Sequence, residues 1–219
     1  MSQVLSRSEM TEVSLKDLYD MAKECYDSIW EQAQDNDRGV KIYLHWSAGL
    51  YHQFWDDYHI QVDSDGKIYV PDDTALDDVL SATWKRNSGS ISIGLLCGYN
   101  ATTEDLGDYP PTEAQIESTA MIVAVLVVAL GITMNIMHVL THGEAADNED
   151  EEITEDYGPK TDCERWDLEY LGTDESPEFD PWNEETRGGT ILRGKAIWYR
   201  TEYNGAVHEI FKNSAERIE

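Results

Sequence analysis

Basic residues are scarce in this chain of 219 residues, which contains 16 Lys and Arg against 44 Asp and Glu. The formal net charge of -28 repels phosphate backbones, so we predict that the protein does not bind nucleic acid. A charge of this size favours solubility and association with complementary surfaces rather than any particular fold. The acidic surface is therefore a candidate contact for a protein partner.

Cysteines are also few, and they are widely spaced at Cys25, Cys97 and Cys163. This pattern gives no disulfide framework and favours a reducing compartment. The first ten residues lack the apolar core of a secretory signal. We therefore predict synthesis in the cytoplasm without a signal peptide.

Long apolar runs are absent, the longest being the eleven residues 120–130. A bilayer-spanning helix needs about 20 such residues, so we predict no transmembrane segment. The run follows Pro110-Pro111 and precedes Gly131, which are typical helix start and stop signals. These signals predict a buried core helix over residues 112–130.

The remaining patterns indicate a mixture of helices and short strands. Apolar residues at three- and four-residue spacings predict an amphipathic helix over residues 14–34. Short apolar runs predict strands over residues 40–45, 58–62, 67–70, 90–96, 136–142 and 188–203. This order favours an α/β domain with a central sheet and helices packed on it.

Two acidic stretches interrupt this pattern, at residues 144–156 and 173–187. The first is too charged to be expected in a core and predicts a solvated surface loop. Since it lies between candidate site residues, a lip over the site is the alternative. The second contains two prolines and predicts a linker or excursion.

Two histidines each close an apolar run, His45 and His142. Twenty residues beyond the second, Lys160-Thr161-Asp162-Cys163 offers a carboxylate or a thiolate. Two imidazoles and one anionic ligand, with a fourth position open, form a typical catalytic zinc site. The chain has no H-E-x-x-H or C-x-x-C motif, and on spacing alone a histidine at a strand end is more often a hydrogen-bonded structural residue.

Six segments in order strengthen the metal-site interpretation. They are Y-L-H-W-S-A-G (43–49), D-Y-H-I-Q-V-D-S-D-G-K-I-Y (57–69), N-S-G-S-I-S-I-G (87–94), P-P-T-E-A-Q (110–115), L-T-H-G-E-A-A (140–146) and G-P-K-T-D (158–162). Together they resemble the zinc-dependent N-acetylmuramoyl-L-alanine amidases, the type 2 amidases common in phage endolysins and related to peptidoglycan-recognition proteins. The resemblance implies a central mixed β-sheet flanked by helices.

The resemblance implies a reaction and a cofactor, Zn²⁺. The family hydrolyses the amide between N-acetylmuramic acid and L-alanine in bacterial peptidoglycan, and zinc activates water and polarises the carbonyl. Carried over by motif, the ligands are His45, His142 and Asp162, the last from the ending Lys, any residue, then Asp or Cys. Cys163 is one residue out of register and stays the alternative third ligand.

Three further residues receive catalytic roles from the resemblance. Lys160 is expected to stabilise the oxyanion, or else to form an ion pair with the acidic loop. Tyr58, in a Tyr-His pair, is expected to orient water or move its proton, because residues 93–97 lack the glutamate that some relatives use as a base. Glu144 is expected to anchor the loop, and base catalysis is its second interpretation.

The predicted organisation has three parts. Residues 1–39 form an N-terminal helix on the core, residues 40–172 the zinc amidase core, and residues 173–219 an acidic excursion with a C-terminal strand. One departure from the family is Thr83, where relatives often have a histidine.

The leading functional prediction is a phage or prophage lytic enzyme that reaches the cell wall by release or delivery. The alternatives are an inactive peptidoglycan-binding module and a delivered tail or toxin component.

Overall fold

A six-stranded mixed sheet forms the centre of the computed structural model, which describes residues 2–153 and 155–202. In spatial order its strands are β2 (Met10–Glu12), β6 (Ile68–Pro71), β5 (Ile60–Val62), β7 (Ser90–Leu95), β3 (Lys41–Trp46) and β8 (Val139–Thr141). The four neighbouring strands β5, β7, β3 and β8 are parallel to one another, whereas β6 pairs antiparallel with β5 and with β2. A separate antiparallel pair joins β1 (Val4–Leu5) to β4 (Phe54–Trp55). The predicted α/β class with a mixed sheet is confirmed.

The helices flank this sheet. They are α1 (Leu15–Glu24), α2 (Tyr26–Gln34), α3 (Glu113–Leu130), α4 (His142–Ala146) and α5 (Gly188–Glu202). The single helix predicted over residues 14–34 is two helices, because Cys25 leaves helical geometry with φ -89° and ψ 4°. The N-terminal part of the chain also supplies β2, an edge strand that the predicted organisation lacked.

The strand predicted over residues 188–203 is wrong within the described residues, since α5 occupies Gly188–Glu202. Leu192 and Ala196, four residues apart, are fully buried, whereas Ile197 and Trp198 are exposed. Four-residue spacing is the period of a helix face, and the short apolar run at 196–199 concealed it. Residue 203 lies outside the described residues.

Helix α3 is apolar around its circumference, as expected of a helix covered on most faces. By length and composition it is the one helix in the described chain that meets the criteria for crossing a membrane, but 72% of that stretch is buried inside the protein. Thr112 caps its N-terminus through the Gln115 N–H, and Gly131 ends it with φ 66°. The structure thus agrees with the predicted core helix over 112–130.

Donors from the N-terminal helices satisfy the last carbonyls of α3. Trp30 Nε1 donates to the Leu130 carbonyl at 3.0 Å, and Lys23 Nζ donates to the Ala129 carbonyl at 3.3 Å. Carbonyls in the last turn have no partner within their own helix, so these bonds remove a desolvation cost.

The acidic segment 144–156 is partly buried rather than uniformly solvated. Asp150 is 2% exposed and accepts from Arg86 Nη1 at 2.7 Å and from Lys41 Nζ at 3.0 Å. Both cations come from distant parts of the sequence. The prediction of a solvated loop is wrong for Asp150, because local composition does not show the charges that pair with it.

Candidate metal centre

The parallel strands bring His45 and His142 to one edge of the sheet. His45 is the fifth residue of β3, and His142 begins α4 directly after β8. Strands β3 and β8 are parallel neighbours, with Leu44 opposite Thr141, so their carboxyl ends coincide. The two Nδ1 atoms lie 3.0 Å apart, and both side chains are buried.

A carboxylate completes the group, and it belongs to Asp167. Its Oδ2 lies 3.3 Å from His142 Nδ1 and 3.6 Å from His45 Nδ1. All three ligand atoms lie within 4.8 Å of one another. Two imidazole nitrogens and one carboxylate oxygen are a donor set suited to zinc, and their approach fits a single ion.

The electrostatics of the group suit a cation. Burial lowers the pKa of His45 to about 4, so its imidazole is neutral at neutral pH. Burial works to raise the pKa of Asp167, but the nearby His142 and His45 outweigh it and hold that pKa well below the usual range. A neutral imidazole and an ionised carboxylate are the protonation states that bind a metal.

The predicted ligand Asp162 lies elsewhere, and so does its alternative Cys163, since both are exposed. A turn holds the preceding residues, with the Lys160 N–H donating to Asp147 Oδ1 at 2.9 Å. The chain then reverses at Glu164, which adopts a left-handed φ of 59°. It turns inward only afterwards, so Asp167 occupies the place expected of Asp162.

A sequence signal for Asp167 did exist. Arg165-Trp166-Asp167 repeats, five residues later, the order of a basic residue, any residue and Asp that had selected Lys160-Thr161-Asp162. The resemblance specified lysine in this motif, and lysine is found only in the first copy. The large apolar side chains on either side of Asp167, Trp166 and Leu168, were the sequence signal that distinguished the two.

Lys160 forms ion pairs with the acidic segments. Its Nζ lies 2.5 Å from Glu149 Oε1 and 3.2 Å from Glu184 Oε1, and it lies over the Trp182 ring at 5.4 Å from the centroid. This arrangement is the ion pair with the acidic loop that was the alternative interpretation of Lys160.

Glu144 is fully buried and makes structural contacts. It accepts the Thr141 N–H at 2.9 Å, which closes a capping box at the start of α4. It also accepts two bonds from the Arg193 guanidinium, at 2.7 and 2.8 Å. These contacts tie α5 to the turn that presents His142, which is the geometry of an anchor.

Tyr58 lies beside the group. Its ring centroid is 5.3 Å from that of His45, and the ring covers Gly94, where a Cβ would approach it to 2.7 Å. The Tyr58 hydroxyl is 3.5 Å from the Trp46 carbonyl oxygen, at the limit for a hydrogen bond. Burial raises the pKa of the phenol well above its usual range, so it stays protonated and acts as a donor.

The group of His45, His142 and Asp167 opens through His142 onto a cavity of about 640 Å³, which Thr83 also lines. Trp84 and Tyr157 form an aromatic wall, with ring centroids 5.2 Å apart in edge contact, and Trp84 is 44% exposed. Arg165 also lines the cavity, with Nε 3.9 Å from Asp167 Oδ1. Within the described part of the chain, Lys160 is not among the lining residues.

Comparison with known proteins agrees with this architecture. The Amidase_2 model, described as N-acetylmuramoyl-L-alanine amidase, matches residues 22–162, which is more than half of the 219 residues. The chain therefore belongs to the Amidase_2 family, which confirms the predicted resemblance. Its activity is that of an N-acetylmuramoyl-L-alanine amidase acting on peptidoglycan.

Two solved structures are similar to this chain. One is the endolysin N-acetylmuramoyl-L-alanine amidase LysCS from Clostridium intestinale URNW, which is 18% identical, with 49% of this chain and 70% of that chain covered and a TM-score of 0.36. The other is the Ph2119 endolysin from Thermus scotoductus MAT2119 bacteriophage Ph2119, also 18% identical, with 49% and 73% covered and a TM-score of 0.36. No curated protein matches the chain.

Proposed function

We propose that the protein uses Zn²⁺ held by His45, His142 and Asp167 to cleave the amide between N-acetylmuramic acid and L-alanine. The observation that carries the proposal is the buried group of these three residues, which opens through His142 onto a cavity. When bound, zinc supplies a Lewis acid and lowers the pKa of a coordinated water toward about 7. The residues around it have the remaining tasks of binding, orientation and charge stabilisation.

Arg165 is our candidate for stabilising the oxyanion, in place of Lys160. It lines the cavity, and its Nε lies 3.9 Å from Asp167 Oδ1. Lys160 is already paired with two carboxylates, which reduces the positive charge that it offers to a substrate. A guanidinium donates several hydrogen bonds in a fixed plane, which suits an oxygen that becomes negative during the reaction.

Tyr58 is our candidate for orienting the attacking water. Its hydroxyl is protonated at neutral pH and its ring is fixed by Gly94 and His45, so rotation of the O–H away from the distant Trp46 carbonyl is enough for it to donate to a water. Glu144 has its oxygens engaged by Arg193 and the Thr141 N–H. We therefore assign Glu144 the anchoring role.

Digestion of purified peptidoglycan, followed by mass analysis of the fragments, tests this function. Release of stem peptides with a free L-alanine amine is the expected result. The zinc content and the release should both fall in His45→Ala. Intact wall with measurable binding favours the inactive binding module, and cut glycan or cut cross-bridges contradict the reaction.

Origin and delivery stay predictions from the sequence. These are a phage or prophage source, arrival at the wall by release or delivery, and a protein partner for the acidic surface. The net charge of -28 supports the last, because a strongly charged surface favours association with a complementary one.

A further inference from the structure

We infer that Thr83 is the positioning residue that fixes the tautomer of His45 and thereby prepares Nδ1 to bind the metal. The inference rests on the proposed metal site. Thr83 Oγ1 lies 3.2 Å from His45 Nε2, on the side of the ring opposite His142 and Asp167. Both Thr83 and His45 are 1% exposed, so water does not compete for this contact.

The contact offers an acceptor to one imidazole nitrogen, because the Thr83 hydroxyl oxygen can accept a hydrogen bond from a proton on Nε2. A neutral imidazole has one N–H and one lone pair. When Nε2–H donates to Thr83 Oγ1, the lone pair remains on Nδ1, which faces His142 Nδ1 at 3.0 Å and Asp167 Oδ2 at 3.6 Å. The opposite tautomer places an N–H in the position that a metal would occupy. Hydrogen-bond partners of metal-ligating histidines commonly select the tautomer in this way.

A tight turn holds Thr83 itself in place. The Thr83 N–H donates to Asn87 Oδ1 at 2.7 Å, and the Arg86 N–H donates to the Thr83 carbonyl at 3.1 Å. These two bonds fix the backbone on both sides of the hydroxyl. The position of Oγ1 is therefore set by the turn rather than by contact with His45 alone.

A buried ion pair links the turn to the acidic segment. Arg86 is fully buried, and its Nη1 lies 2.7 Å from both carboxylate oxygens of Asp150. Its Nη2 donates to Asn148 Oδ1, also at 2.7 Å. The acidic segment thus has a positioning role in the site: it holds Arg86, Arg86 holds the turn, and the turn places Thr83 against His45.

Three threonine variants test the inference through zinc affinity of the metal-free protein, measured by chelator competition. Thr83→Val keeps the shape and removes the acceptor, so we expect binding about 10- to 100-fold weaker, as for other outer-shell changes. Thr83→Ser restores a hydroxyl and should recover most of the affinity. The matched control is Thr119→Val, because among the described residues Thr119 Oγ1 is buried without a hydrogen-bond partner. We expect Thr119→Val to bind zinc like the wild type.

Nitrogen-15 NMR of the histidines gives a readout that a purely structural role for Thr83 would not move. We expect zinc-loaded wild type to show a proton on Nε2 of His45 with the shift of a hydrogen-bonded N–H, and Thr83→Val to lose that shift. Wild-type zinc affinity in Thr83→Val, or failure of Thr83→Ser to recover it, overturns the inference alone. Failure of the wild type itself to bind zinc overturns the proposed metal site as well.

Discussion

Two neighbouring segments, Lys160-Thr161-Asp162 and Arg165-Trp166-Asp167, share the order of a basic residue, another residue and an aspartate. The first lies on the acidic surface, with Lys160 between Glu149 and Glu184 and with Asp162 exposed. The second lies against the histidines, with Asp167 buried. The same order of charged residues therefore leaves the aspartate exposed in the first segment and buried in the second.

Packing explains the difference. Trp166 makes an edge contact with Trp46, at 4.9 Å between ring centroids, and Leu168 is fully buried. Burying a large apolar side chain stabilises the fold by about 1.5 to 3 kcal/mol. This can offset the cost of burying a carboxylate between two such side chains when a cationic or metal partner compensates its charge. Asp162 is followed by exposed residues and has no such neighbours. A ligand's position thus depends on the apolar residues around it as much as on its motif.

The largest expected effect separates the two aspartates. Asp167→Asn should lose zinc, because it removes a charged ligand. Hydrolysis should fall by a larger factor than the roughly 10- to 100-fold loss that follows when a residue outside the ligand set is changed. Asp162→Asn, the matched control, should keep both. Metal analysis of the purified variants and a peptidoglycan release assay measure the two properties. Zinc loss in Asp162→Asn with full zinc in Asp167→Asn would reverse the assignment.

The second effect separates the two basic residues. We expect Arg165→Met to lower kcat about 100-fold with zinc retained, the size of change seen when one oxyanion donor is removed. Lys160→Met should leave kcat near the wild-type value, since Lys160 is held by carboxylates. Steady-state kinetics on a soluble muramoyl-peptide substrate measure both. A larger loss in Lys160→Met would return the oxyanion role to Lys160.

The third effect tests whether a residue outside both segments contributes to the chemistry. Tyr58→Phe keeps the ring that packs over Gly94 and removes only the hydroxyl. We expect zinc content to be unchanged and kcat to fall about 5-fold, the loss of one neutral hydrogen bond of about 1 kcal/mol. Unchanged turnover would remove Tyr58 from the reaction and leave the charge of Arg165 as the main contribution.

Elements with local signals were predictable from the sequence. Helix α3 follows its caps, Thr112 and Gly131, and β3 and β7 follow short apolar runs. His45 and His142 were each predicted at a strand end because both close such runs, and the structure adds that their strands pair in parallel. The family motifs then identified these histidines as a pair.

Features that depend on distant residues were not predictable. The break at Cys25 has no marker in the local apolar pattern, and the helix Gly188–Glu202 packs against α3, which is distant in sequence. Burial of Asp150 depends on Arg86, which is 64 residues away in sequence. The sequence prediction also missed the burial of Asp167 beside the two histidines, because the fold of the intervening turn determines which aspartate faces inward.

The smallest expected effect concerns stability. Lys160 and Glu149 have side chains 18% and 24% exposed, so their ion pair is only partly screened. Lys160→Met should lower the free energy of unfolding by about 0.5 to 1 kcal/mol at pH 7. Arg165→Met is the matched control, since its side chain is 56% exposed and should contribute little. Urea unfolding of both variants and the wild type measures the difference.

The pH dependence of this loss identifies its cause. Burial works to raise the pKa of Glu149, but its bonds to Lys160 and Arg187 outweigh burial and lower that pKa. A carboxylate with a lowered pKa stabilises the folded state above its unfolded pKa of about 4.3, and that stabilisation is lost as the pH falls through the folded value. The penalty of Lys160→Met should therefore shrink on acidification below about pH 4. A penalty of constant size would instead assign it to the lost cation–π contact of Lys160 Nζ with the Trp182 ring.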